Sequence, residues 1–99
     1  MAQRISLSGR GESIKIGDDG QIVVEWYDFG DDVPYESANM LLFDEKSWRQ
    51  LAGAIGCADG IDALALAEAV AERFGSYFAI RDYVDSAGLP YEREVDFNP

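Results

Sequence analysis

Apolar residues recur at every second position through the first forty-odd residues, and at every third or fourth from Trp48 onward. A period of two belongs to strands and a period near 3.6 to helices. The change of period therefore fixes the order of construction, strands first and helices after. That order predicts an α+β fold with an antiparallel sheet, since neighbouring parallel strands would need a helix between them.

Ile5 and Leu7 fall on one face of a strand over Gln3–Ser8, and Ile14 and Ile16 repeat the alternation after a Gly9-Arg10-Gly11 turn. Gly17-Asp18-Asp19-Gly20 reads as a hairpin turn, because glycine reaches positive φ without steric cost. A third strand over Gln21–Phe29 puts Ile22, Val24 and Trp26 on one face and Val23, Glu25, Tyr27 and Phe29 on the other. Gly30–Ser37 is expected to be a loop, and Ala38–Phe43 a fourth strand.

Trp48, Leu51, Ala52 and Ile55 then form the stripe of a first helix, with Asp44 or Ser47 as cap and Gly56 as stop. A second helix is expected from about Ile61 to Phe74, closed by Gly75. Tyr77–Ala87 is preferred as a third helix over a strand, with Ser76 as cap, an Arg81–Asp85 pair and Gly88 as stop. After Pro90, Tyr91–Phe97 reads as an edge strand, whose charges discourage aggregation. The expectation is one α+β domain over residues 1–99: an antiparallel sheet of about four strands, two to three helices and a C-terminal edge strand.

The third and fourth strands are apolar on both faces, whereas an antiparallel sheet wet on one side alternates with polar residues. Two covers satisfy this pattern. The chain's own helices and C-terminal segment cover both faces, or a partner, a second copy included, covers one.

Charge bounds the function. The formal net charge is −11 over 99 residues. Seven carboxylates and no basic residue lie between Asp18 and Glu36: Asp18, Asp19, Glu25, Asp28, Asp31, Asp32 and Glu36. Such a surface repels nucleic acid and anionic membrane and attracts basic protein surfaces. The eight basic residues are dispersed along the chain, far from the cluster of phosphate contacts a duplex binder uses.

Catalytic signatures fail one by one. Histidine is absent, which removes Ser–His–Asp and Cys–His chemistry. Cys57 is the single cysteine, so neither an internal disulfide nor a cysteine-rich zinc site can form. Asp28-Phe29-Gly30 matches a kinase tripeptide without the other kinase signatures. A calcium loop starting at Asp28 would place Val33 where glycine is required and Asn39 where glutamate is required. Gly9-Arg10-Gly11-Glu12-Ser13 lies between strands and lacks the lysine of a phosphate loop. No metal, cofactor or catalytic residue is expected, and no enzymatic activity.

The expected function is a non-enzymatic binding module of the inhibitor, immunity-protein, antitoxin or nucleic-acid-mimic type. It would dock on a basic protein surface such as a nuclease or another nucleic-acid-binding protein. Trp26, Asp28, Phe29, Asp31, Asp32, Tyr35 and Glu36 are the candidate contact residues, aromatics for anchoring and carboxylates for steering. The alternative is an assembly subunit that forms a homodimer through an apolar sheet face, with no basic partner. No run of apolar residues is long enough to span a membrane, and Met1–Arg10 lacks the apolar core of a signal peptide. A cytoplasmic location is the corresponding expectation.

Crowded carboxylates repel one another in the folded state, and salt screens that repulsion. Added sodium chloride is therefore expected to raise the melting temperature, followed by circular dichroism. A melting temperature indifferent to salt would show that the acids are already compensated.

Overall fold

The computed structural model describes residues 3–8, 11–28, 36–58 and 60–98. Five strands and three helices follow in the order β1 (Gln3–Ser6), β2 (Glu12–Ile16), β3 (Ile22–Asp28), β4 (Glu36–Phe43), α1 (Glu45–Ala54), α2 (Ala63–Phe74), α3 (Tyr77–Ala87) and β5 (Glu92–Asn98). The strands form one sheet in the order β1-β2-β3-β4-β5, every neighbouring pair antiparallel. The chain is α+β, as its periodicity predicts. All three helices lie in the connection from β4 to β5, so the chain leaves the sheet after Phe43 and returns to its edge at Glu92.

Strand register decides which side chains meet the helices. Ile14 pairs with Val24 and Val24 with Leu41, while Ile16 pairs with Ile22 and Ile22 with Phe43. These six are buried and share a single core with Trp48, Leu51, Leu66, Ala67, Val70, Tyr77, Ile80 and Val84 of the helices. The helices therefore cover the face carrying Ile22, Val24, Leu41 and Phe43. The sequence left open whether the C-terminal segment lies across the other face; it extends the sheet beside β4 instead.

Local chemistry sets the helix boundaries. Asp44 caps α1: its carboxylate accepts the Ser47 N–H at 2.7 Å, and the Ser47 hydroxyl accepts the Asp44 N–H at 3.0 Å. Both residues proposed as caps thus act in one reciprocal box. The Ser47 backbone donor, followed by its hydroxyl, holds the Asp44 carboxyl below the ordinary aspartate range. α2 begins at Ala63 rather than Ile61, because the Asp62 carboxylate accepts from Leu64 N and Ala65 N at 2.8 and 3.3 Å. Tyr77–Ala87 is helical, with Ser76 capping its start and Gly88 in left-handed backbone at its end. Within α3, Arg81 reaches Asp82 at 3.4 Å rather than Asp85, whose Oδ1 takes the Tyr91 hydroxyl at 2.5 Å. β4 starts at Glu36, earlier than expected, because Ser37 pairs across to Asp28 on one side and Phe97 on the other.

Two long-range ties fix the helices to the first hairpin. Gly75, at φ 74°, turns the chain out of α2, and its carbonyl accepts both the backbone N–H and the hydroxyl of Ser8, at 2.9 and 2.5 Å. The second tie is Glu12. It is 9% exposed on the helix-covered face, and its Oε1 accepts the N–H of Tyr77, the first residue of α3, at 2.6 Å. A carboxylate there satisfies an orphan donor and meets the positive end of the helix dipole. No periodicity argument points to this contact, which spans 65 residues.

Removing the Glu12 acceptor leaves the Tyr77 donor buried and unpaired, at about 1–3 kcal/mol. Glu12→Ala is expected to lower the unfolding free energy by that amount in urea titrations, and Glu12→Gln, which keeps a side-chain oxygen, by less. Equal losses in the two variants would mean that Glu12 acts by filling space.

Candidate functional site

The face of the sheet turned away from the helices is ordered by register into ranks. One rank runs Lys15, Val23, Leu42, Glu92; the next runs Ser13, Glu25, Met40, Glu94; the third carries Tyr27, Ala38, Asp96. Val23, Ala38, Met40 and Leu42 are half-buried and none belongs to the core. Ala38, Met40 and Leu42 form an apolar row along β4, which Val23 widens onto β3 beside Leu42; Glu25 interrupts it on β3 beside Met40. The three helices lie on the opposite face and do not cover this strip, although Ser13 in the middle rank is fully buried.

The two borders of this strip differ. On the β2 side, Lys15 Nζ lies 3.2 Å from Glu25, an ion pair whose two charges offset one another. On the β5 side stand Glu92, Glu94 and Asp96, all exposed, and none forms an ion pair among the described residues. Alternate residues of a strand are about 6.6 Å apart, so the three carboxylates make a column roughly 13 Å long. The carboxylates of that column repel one another, which is a reason for cations to approach it.

Tyr91 holds the column in place. Its ring stacks on Phe43 at 5.9 Å and its hydroxyl donates to Asp85 of α3 at 2.5 Å, so the start of β5 is tied to both sheet and helix. That bond, and then burial, pushes the Tyr91 phenol above its ordinary range. Tyr77, 1% exposed, has its phenol raised chiefly by burial, against opposing Arg93 and Arg81.

Of the candidate contact residues, Trp26 is placed on the helix-covered face. It is half-buried there, with ring centroids 6.2 Å from Tyr77 and 4.8 Å from Phe78 of α3. Asp28 ends β3 and Glu36 begins β4, so the chain between them joins two adjacent antiparallel strands. Phe29, Asp31, Asp32 and Tyr35 lie outside the described residues. The acidic column and apolar strip were missed as a site. Their residues carried the signal, since two-sided apolar strands and a charged last strand are visible in the sequence. Which strand β5 pairs with is not.

Among the clefts of the described residues, one borders the face turned away from the helices at Leu42 and Glu92 and another lies away from it. The first, of about 310 Å³, is lined in part by Leu42, Phe43, Ser47 and Tyr91. The second, of about 470 Å³, has Ile22, Trp48, Ile61 and Leu66 as its apolar lining, with Glu45 and Arg49 paired to each other at 2.6 Å and Asp62 engaged as a cap. The charged groups of the second cleft are thus committed to structural contacts. Cys57 is half-buried against the core. Among the described residues no three His, Cys, Asp or Glu side chains gather to hold a metal ion, and no helix is long and apolar enough to cross a membrane.

No protein-family model matches the chain, and neither a curated protein nor a solved structure matches it at a significant level.

Leu41 and Leu42 are adjacent in sequence and opposite in environment. Leu41→Ala empties a fully buried site and is expected to cost about 2–5 kcal/mol. Leu42→Ala, on the uncovered face, is expected to cost about 1 kcal/mol or less. Chemical denaturation of the two variants checks this, and equal costs would mean that the second face is packed after all.

Proposed function

We propose that the protein is a non-enzymatic, cytoplasmic binding module that docks on a basic protein surface, in the manner of inhibitors, immunity proteins, antitoxins and nucleic-acid mimics. A nuclease or another nucleic-acid-binding protein has the surface it would fit. The observation that carries this reading is the distribution of charge. A net −11 includes seven carboxylates in the stretch from Asp18 to Glu36, which contains no basic residue and of which Glu25 is offset by Lys15, and an exposed column of three more on β5. Like charge steers the protein away from nucleic acid and anionic lipid, and opposite charge raises the rate of encounter with basic partners.

Asp28 and Glu36 flank the connection between β3 and β4. Asp31 and Asp32 in that connection supply steering charge, with Phe29 and Tyr35 as aromatic anchors. The homodimer reading draws on the uncovered sheet face, but two chains of −11 repel at long range, which favours a cationic occupant.

Capture from native lysate at low and at physiological salt, with mass spectrometry of the eluate, is the test. A basic protein released by salt is expected. With that protein in hand, the double variant Asp31→Asn, Asp32→Asn should slow association more than it speeds dissociation, because screened surface charge acts on encounter. A salt-insensitive dimer with no basic partner in the eluate would overturn the reading.

A further inference from the structure

We infer that the uncovered face of the sheet is a seat for a basic amphipathic helix of the partner, with apolar side chains on Val23, Met40 and Leu42 and lysine or arginine over Glu92, Glu94 and Asp96. This rests on the reading of the protein as a ligand of basic partners, and it names the part of the partner that is recognised.

Three features of the face select this occupant. The first is width. The apolar contact is Met40 and Leu42 of β4 with Val23 beside Leu42, narrower than a helix roughly 10 Å across, so the rest of the helix width falls over the flanking charged strand. The second is spacing. Residues four apart on a helix are about 6 Å apart along its axis, close to the roughly 6.6 Å between successive carboxylates of β5. One helix face can therefore set a cation against each of Glu92, Glu94 and Asp96.

The third feature is asymmetry. Glu25, on the strip itself, is already offset by Lys15 at 3.2 Å, whereas the β5 carboxylates form no ion pair among the described residues. The face asks for charge along one border and apolar contact across its middle. An amphipathic helix with cations beside its apolar stripe has that pattern. α1, α2 and α3 already cover the opposite face, so a docked helix would complete a three-layer arrangement with the sheet at its centre. A second copy of this chain meets the strip with like net charge, and an anionic membrane meets the acidic column with like charge.

The test uses two synthetic peptides of about 18 residues, or five helical turns. Both contain only lysine and leucine in equal composition. One is ordered at helical spacing and the other is scrambled so that no apolar stripe forms. Binding is measured by fluorescence anisotropy at about 0.15 M salt, and amide shifts are followed on the labelled full chain.

The patterned peptide is expected to bind about tenfold or more tighter than the scrambled one. Its shifts should centre on Val23, Met40, Leu42 and Glu94. The triple variant Glu92→Lys, Glu94→Lys, Asp96→Lys, shown to be folded by circular dichroism, should lose about tenfold or more of that affinity. Met40→Asp provides a second, independent loss at the strip.

Equal affinity for the two peptides overturns the inference. So do shifts confined to residues 28–36, which would leave the broader reading standing. No binding of either peptide removes both readings. Concentration-dependent shifts on this face without any peptide would give it to a second copy instead.

Discussion

One-sided burial is the constraint on which the rest of this structure depends. Ile14, Ile16, Ile22, Val24, Leu41 and Phe43 are held on one face by antiparallel register, and three helices close over them. Because strand side chains alternate, burying that set commits its neighbours Val23, Glu25, Met40 and Leu42 to the other face. A register slip of one residue on β4 would exchange Leu41 and Phe43 for Met40 and Leu42 in the core and lose the fit of Phe43 against Trp48 and Tyr91.

The helices are held to the sheet by polar ties as well as by apolar packing. Ser8, just beyond the first strand, closes on the Gly75 carbonyl, and Glu12 on the second strand accepts from the first turn of α3. Tyr91 then binds the returning chain to Asp85 before it enters the sheet. The first two link segments more than sixty residues apart and the third spans six; the last leads β5 to an edge where its carboxylates face solvent. The strip and the acidic column owe their adjacency to that last tie and to the β4–β5 register.

Function follows from charge and shape together. Charge by itself gives a protein that avoids phosphates and meets cations. The sheet face adds a geometric preference, an apolar row on β4 beside a regular row of carboxylates on β5. The charged groups of the larger cleft, the Glu45–Arg49 pair and the Asp62 cap, are committed to local structure.

Much of the fold was legible in order and kind. The α+β class, the hairpin at Gly17–Gly20, the caps at Asp44, Ser47 and Ser76, the stops at Gly75 and Gly88, and the charged last strand all follow from local chemistry, because turns, caps and periodicity act over a few residues. The start of β4 at Glu36 and the pairing of Arg81 with Asp82 were not legible, since each answers to what lies beside it in space. The candidate site divides in the same way. The sequence determined that the protein is strongly acidic, and that β3 and β4 offer apolar residues to two sides. Only the tertiary structure decided which side the helices took and which strand received β5, because both outcomes rest on pairings between segments tens of residues apart.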